Sequence, residues 1–495
     1  MEFNVVEIET TERLLCAEFM NDASHMQNAV VKCGVEQVSE NFERKKELMT
    51  SRSALSVRLD DWDITNQKRS GRCWLFSSLN LIRFNMRSNL GLSEKSKKNN
   101  GGTSFELSQN YAMFWDEFER ANYFINDIIN LITQKVVVNS DYDQTQQNSQ
   151  AQVDKTLAFI LDTVVDDGGQ WNMAVNLYTK YGVVPKEVMP ETVASSSTSF
   201  MNSILKTRLR KAAADLENLI YEPASSQQLE NERVSILRDI WSILATNLGT
   251  PPEQQFSYSC KTDDGKFKRE DCITPQKFFK KYCSLPLKDY VCLVDDPHAE
   301  HHKKGGLSIE ISHLGNVVGG DDALYLNAPI ELMKQLTVES LTGKHKTGKG
   351  HSRGAEPVWF GCDCAPFINR ADGTWASDLF DLSGTFAVDL KTSKENRVHY
   401  GDSAMTHAML FTGVDLDRNL KPHRFRIENS WGAEGGDKGF YIMHNNWFDD
   451  YMFEVVAVHK NLLPDELHSK LREYEVNGRK PDIMLPAWDS MGALA

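Results

Sequence analysis

Cys73, set between an arginine and a tryptophan in "NQKRSGRCWLFSS" (66–78), is the residue from which chemistry can first be argued. Leu75, Leu79, Ile82, Met86 and Leu90 follow it at spacings of four or three, the stripe of a helix with one buried face that stops at Gly91. Cys73 therefore opens a helix, where unpaired N–H groups and the helix dipole favour the reactive thiolate. Most cysteines are small buried hydrophobes. A nucleophile needs, besides, a proton carrier, a group that orients it and donors for an oxyanion. His407 in "MTHAMLFTG" immediately precedes a strand, and Asn429 in "ENSWG" ends another, 429 − 407 = 22 residues later. Two neighbouring strands can present both side chains at one cleft edge, and the chemistry is then acyl transfer through a thioester.

The elements around these residues set the scale. A chain of 495 residues, 41% hydrophobic and 25% charged, has ample core for two or three lobes. Helical patterns come first: one after the loop 95–104 with Ser104 as a possible cap, one from about Gln170 to Gly182, and an amphipathic pair over 199–248. Beyond about 285, "DYVCLV", "AMLFTGVDL", "HRFRIENSW", "KGFYIMHNNW" and "EVVAVH" read as strands. Helices followed by strands predict an α+β protein with a helical and a sheet-rich lobe.

Composition narrows the class. A net charge of −14 from 55 basic and 69 acidic residues argues against nucleic acid as the main partner. Nine scattered cysteines read as reduced thiols, the opening residues carry no apolar signal segment, and no apolar run is long enough for a bilayer. A soluble, cytoplasmic protein is expected.

A glutamine before "GRCWLFS", then "ELSQN", "DGGQW", "THAM" and "NSWG" with "KGFY" behind it, in that order, resembles the papain-like cysteine peptidases. With "GRCWLF" and the closing "LPAWDSMGALA", the chain from residue 60 to 495 is similar to their bleomycin hydrolase family. Simple papain-type enzymes separate cysteine from histidine by roughly 130 to 150 residues; here the gap is 407 − 73 = 334, so inserted material is expected, with 195–250 one candidate. The resemblance implies a papain-like two-lobed fold with helical insertions: an arm over 1–55, a helical lobe over 56–190 carrying Cys73, a mainly helical insertion over 191–300, a β-rich, barrel-like lobe over 301–480 carrying His407 and Asn429, and a tail over 481–495 entering the cleft.

It also implies roles. Cys73 is the nucleophile, His407 its partner in a thiolate–imidazolium pair, and Asn429 the group that orients the imidazole. Gln67, 73 − 67 = 6 residues before the nucleophile, supplies an oxyanion-hole carboxamide beside the Cys73 N–H. Trp431 shields the histidine–asparagine bond. Gly168 and Gly169 form a wall for the substrate backbone, although an ordinary turn explains them as well. The tail, with Ala495 either a ligand or a leaving group, limits cleavage to amino-terminal residues of peptides and small amides or esters. A homohexamer and no cofactor or metal are expected.

Two rival readings accompany this one: a binding protein for single-stranded nucleic acid on the same scaffold, and another thiol acyl transfer such as thiolactone hydrolysis. His298, His301 and His302 in "DDPHAEHHKK" (295–304) lack further ligands at metal spacing and read as a solvated loop; Cys362 and Cys364 in "FGCDCAPF" read as packing thiols.

Overall fold

The computed structural model describes residues 24–59, 62–140, 147–222, 224–252, 254–303, 307–344, 354–452, 454 and 456–495. The opening segment read for a signal lies outside them.

Six helices build one lobe: α1 (Cys73–Leu90), α2 (Gln109–Ser140), α3 (Gln147–Asp162), α4 (Trp171–Tyr181), α5 (Ser199–Tyr221) and α6 (Ser226–Leu248). The α5/α6 pair packs on α2. Ser225 caps α6 through a reciprocal box with Gln228. The sheet comprises β1 (Tyr290–Val294), β2 (Ser308–Ile311), β3 (Tyr325–Asn327), β4 (Val358–Cys362), β5 (His407–Leu416), β6 (Pro422–Glu428), β7 (Phe440–His444), β8 (Val456–His459) and β9 (Ile483–Leu485). It runs β9-β2-β3-β1-β8-β4-β5-β6-β7, extended past β7 by the short strands Thr374–Trp375 and Ile368–Asn369. The architecture is α+β, as the order of helical and strand patterns predicts.

Four expectations need correction. Helix α1 has no polar face in its first part: every residue from Cys73 to Arg83 is buried, because the helix is wedged between α2, α4 and the strands β4 and β5, and only toward its end do Ser88 and Asn89 reach the surface. Ser104 caps nothing; its hydroxyl donates to Asp63, and α2 instead begins behind Ser108, whose Oγ accepts the Tyr111 N–H at 3.0 Å. The last strand of the "KGFYIMHNNW" segment ends at His444, whose ring accepts the Asn446 N–H and caps a helix over Asn445–Tyr451. Sheet structure also starts earlier than 301, with a hairpin of Phe256–Lys261 and Phe267–Ile273 followed by β1.

Register explains the cleft. His407 opens β5 opposite Cys362 of β4, while Glu428 ends β6 opposite Leu410. The strands are antiparallel neighbours, so the start of one and the end of the other meet at the same sheet edge. Cys73, at the first turn of α1, abuts that edge. No helix among the described residues is long and apolar enough to cross a membrane.

Candidate active site

The thiol of Cys73 is 1% exposed at the N-terminus of α1. Ala408, the residue after His407, donates its N–H to Sγ at 3.4 Å, which places the thiol against the start of β5. Burial is the strongest influence on the thiol and pushes it up to about 12; the N–H groups of Ala408, Trp74 and Cys73 itself pull the other way. Burial likewise pushes His407 down to about 4; the Asn429 hydrogen bond opposes it, and the charge of Arg370 adds to it. In this closed arrangement both groups are held neutral. An ion pair must therefore form as a unit, when the proton passes between them and the two new charges attract in a dry site.

The sequence of contacts around the imidazole fixes its chemistry. His407 Nε2 is 2.9 Å from Asn429 Oδ1, and that oxygen also accepts the Ser430 backbone N–H at 2.7 Å. An oxygen that accepts a backbone N–H leaves Nε2 as the second donor, so neutral His407 carries its hydrogen there and Nδ1 is the basic nitrogen. Trp431 stacks on the ring with centroids 4.8 Å apart at 26°, and the Arg370 guanidinium lies 5.0 Å from the other aromatic system, that of Trp431. Burial of Asn429 and His407 under this lid keeps water from competing for their hydrogen bond.

Gln67 is 6% exposed and its carboxamide is locked: Nε2 donates to Ser70 O at 2.6 Å while Oε1 accepts the Ser430 hydroxyl. One of the two Nε2 hydrogens is thereby used. The backbone joins in, with Gln67 N–H donating to Ser430 O at 2.8 Å and Gly432 N–H donating to Thr65 O at 3.0 Å. The loop before Cys73 and the loop after Asn429 thus form a short two-stranded stitch between the lobes.

Gly168 and Gly169 have particular neighbours. A Cβ on Gly169 would lie 2.4 Å from the Trp74 indole, so its missing side chain is explained by packing on α1 rather than by a substrate. A Cβ on Gly168 would lie 2.8 Å from both Leu494 Cβ and Ala495 O. The chain's own last residues cover this wall. Gly169 N–H donates to Ala495 O at 3.1 Å, and Gln170 Nε2 donates to Ala493 O at 2.7 Å. Further back, Lys155 Nζ sits 4.0 Å over the Trp488 ring, and β9 pairs in parallel with β2.

The positions named from sequence are linked by contacts: Cys73 meets the residue after His407, His407 meets Asn429 and Trp431, Gln67 is bonded to Ser430 beside Asn429, and Ala495 lies on Gly168 and Gly169. Several supporting residues were not foreseen. Asp167 accepts the Gly71 N–H at 2.9 Å and is itself held by Thr198 and by Asn202 Nδ2 at 2.6 Å. Arg72 is 1% exposed and reaches Glu191 Oε2 at 2.8 Å and Ser195 O at 2.6 Å. Burial tends to raise the Glu191 carboxyl, but Arg72 outweighs it and holds the carboxyl below its usual range. The segment from Glu191 onward thus clamps the turn that precedes Cys73. An acidic residue directly before the glycine pair was the available signal for Asp167; nothing in sequence pairs Arg72 with Glu191.

Comparison with known proteins adds context to this geometry. A family model described as "Peptidase C1-like family" matches residues 5–492. An Aminopeptidase C of Streptococcus thermophilus is 35% identical over 487 residues, covering 98% of each chain. Human Bleomycin hydrolase is 34% identical over 437 residues, covering 87% of this chain and 86% of the relative. The crystal structure of pepw from Lactobacillus rhamnosis superimposes with a TM-score of 0.84 at 34% identity, covering 100% of this chain and 99% of that one.

Proposed function

Since the chain belongs to the Peptidase C1-like family and has its papain-like α+β fold, we propose that it is a cysteine aminopeptidase acting on peptides and on small amides and esters. Nδ1 of His407 takes the thiol proton, and Cys73 Sγ attacks the carbonyl carbon of the bond to be cut. The developing oxyanion meets the remaining Gln67 Nε2–H and the Cys73 N–H. The imidazolium then protonates the leaving amine, and a water molecule, deprotonated by the same Nδ1, hydrolyses the thioester. Asn429, being neutral, orients the ring without a carboxylate's charge.

The observation that carries the aminopeptidase reading is the seat of residues 493–495 on Gly168, Gly169 and Gln170. A groove filled on that side leaves room for about one residue before the scissile bond, and the carboxylate of a terminal Ala495 would pair with a substrate's protonated α-amine. We further place the protein in the cytoplasm, in keeping with eight described cysteines of which none forms a disulfide among the described residues. A homohexamer follows from the family resemblance. The test is a panel of fluorogenic aminoacyl amides, each with a free and an acetylated amine, before and after iodoacetamide. Hydrolysis confined to free amines and abolished by alkylation is expected. Equal turnover of acetylated substrates would sink the amino-terminal restriction, and activity that survives alkylation would sink the thiol mechanism.

A further inference from the structure

In the histidine-rich segment, Asp296, His298 and His301 are not side chains of a solvated loop. The Asp296 side chain is 0% exposed, and it stands between two imidazoles: His298 Nδ1 is 2.7 Å from Oδ1 and His301 Nδ1 is 2.5 Å from Oδ2. The Asp296 N–H donates to Asn327 Oδ1 and the His298 N–H returns to Asp296 Oδ1, so the carboxylate is fixed from the backbone side. Both rings are only about one-sixth exposed, at 17% and 16%. The His298 and His301 centroids are 5.1 Å apart, and the His399 ring lies 6.4 Å from that of His298. The side chain of His302 lies outside the described residues.

One donor atom from each of Asp296, His298 and His301 lies within 4.8 Å of the others. We propose that these three residues form a zinc site, with Asp296 and the Nδ1 atoms of His298 and His301 as ligands and water in the fourth position. One carboxylate group and two imidazole nitrogens make a borderline set that suits Zn²⁺. Bonds of about 2.0 to 2.2 Å put tetrahedral ligands roughly 3.3 Å apart. The present N···O separations of 2.7 and 2.5 Å would each open by less than about 1 Å as a metal replaces the shared hydrogens. Asp489 and Glu395 add negative charge around His298.

A second cluster shows what an unsuitable set looks like. Glu47, His423 and His444 are similarly close, but the Arg44 guanidinium occupies His444 Nε2 at 2.9 Å, putting a fixed positive charge where a cation would sit.

The experiment uses full-length protein alkylated at its accessible thiols, stripped with chelator, and dialysed against ZnCl₂. One zinc per chain should be retained, and Co²⁺ in its place should give a d–d spectrum without a thiolate charge-transfer band. Outer-shell partners of zinc are worth 10–100-fold in affinity, so His301→Gln, which loses a ligand, should weaken retention at least 100-fold. Asp296→Asn should do the same. His423→Gln, in the guanidinium-blocked cluster, should change nothing. Wild-type protein that holds no zinc overturns the proposal, and so does equal retention in the His301→Gln and Asp296→Asn variants. Circular dichroism melts separate a lost site from a lost fold: a folded variant that keeps its zinc counts against the site, and so does an apo wild type whose melting is unmoved by zinc. None of these readouts depends on peptidase activity.

Discussion

Arg83 Nη2 and Glu428 Oε1 lie 3.0 Å apart in an ion pair whose side chains are 0% and 1% exposed. Asn80 Nδ2 donates to the same carboxylate oxygen at 2.9 Å. The pair fastens the helix that begins with Cys73 to the strand residue immediately before Asn429, so a fully desolvated contact helps set the distance between α1 and the end of β6.

Breaking that pair on one side should be expensive. Arg83→Met leaves a buried carboxylate behind, and a loss of about 3–5 kcal/mol in denaturant unfolding is expected. The double variant Arg83→Met/Glu428→Met should recover much of the loss, because no uncompensated charge remains. A double variant as unstable as the sum of the singles would show that the pair is not the issue.

Asn429 offers a signed electrostatic test. In a Cys73→Ser background, where no thiolate complicates the titration, His407 should titrate at about 4, since burial outweighs the hydrogen bond from its ring to Asn429. Asn429→Asp places an anion on Nε2–H, which favours the imidazolium, and should raise that value by about 1–3 units. NMR titration of the ring protons reads it directly, and an unmoved midpoint would contradict the assigned contact.

The oxyanion arrangement predicts a graded pair. Gln67→Ala should lower kcat by about 10²–10³-fold, the usual consequence of losing one such donor. Ser430→Ala keeps the carboxamide but frees its Oε1 from the hydroxyl, so a smaller loss in kcat with little change in KM is expected. Steady-state kinetics on one aminoacyl amide suffices.

The two adjacent glycines should behave differently. Gly169→Ala drives a methyl into the Trp74 indole and should cost about 1–3 kcal/mol or more in stability. Gly168→Ala meets only Leu494 and Ala495, so it should leave the melting temperature near wild type while loosening the tail and admitting some acetylated substrate.

Removal of residues 486–495 leaves β9 in place and uncovers the groove. Burial is the main reason the Cys73 thiol stands near 12. Exposure should lower it, so thiolate content at neutral pH should rise, and iodoacetamide should react faster with the truncated protein than with the intact one. The intact protein's alkylation rate should climb chiefly at alkaline pH. Internal peptide cleavage should appear in the truncated protein; identical rates and substrates in both forms would remove the tail from the account.

Much of this arrangement was readable in the residues, because its main signals are local. A cysteine at the head of a periodic run, a histidine before an apolar strand run and an asparagine after another strand run are each marked by their neighbours. The α5/α6 pair was visible because its apolar repeats and the intervening "YEPASSQQ" punctuate each other. The burial of α1 on all sides was not, since Ser77, Ser78, Asn80 and Arg83 look like a polar face until a partner sheet is known to lie there. Ser104 and Ser108 are equivalent as caps on paper, and only the tertiary pull of Asp63 on Ser104 separates them. The Arg72–Glu191 clamp and the Asp296 pivot depend on long-range placement or on burial, neither of which leaves a periodic trace.

The stitch between Thr65–Gln67 and Ser430–Gly432 bears on how a substrate could be admitted. Backbone hydrogen bonds join the two lobes on the margin nearest the nucleophile, so that margin resists parting like a hem sewn shut. If the terminal segment stays seated on Gly168–Gln170 during turnover, as the proposed ruler requires, traffic into and out of the groove would pass on the side away from this seam.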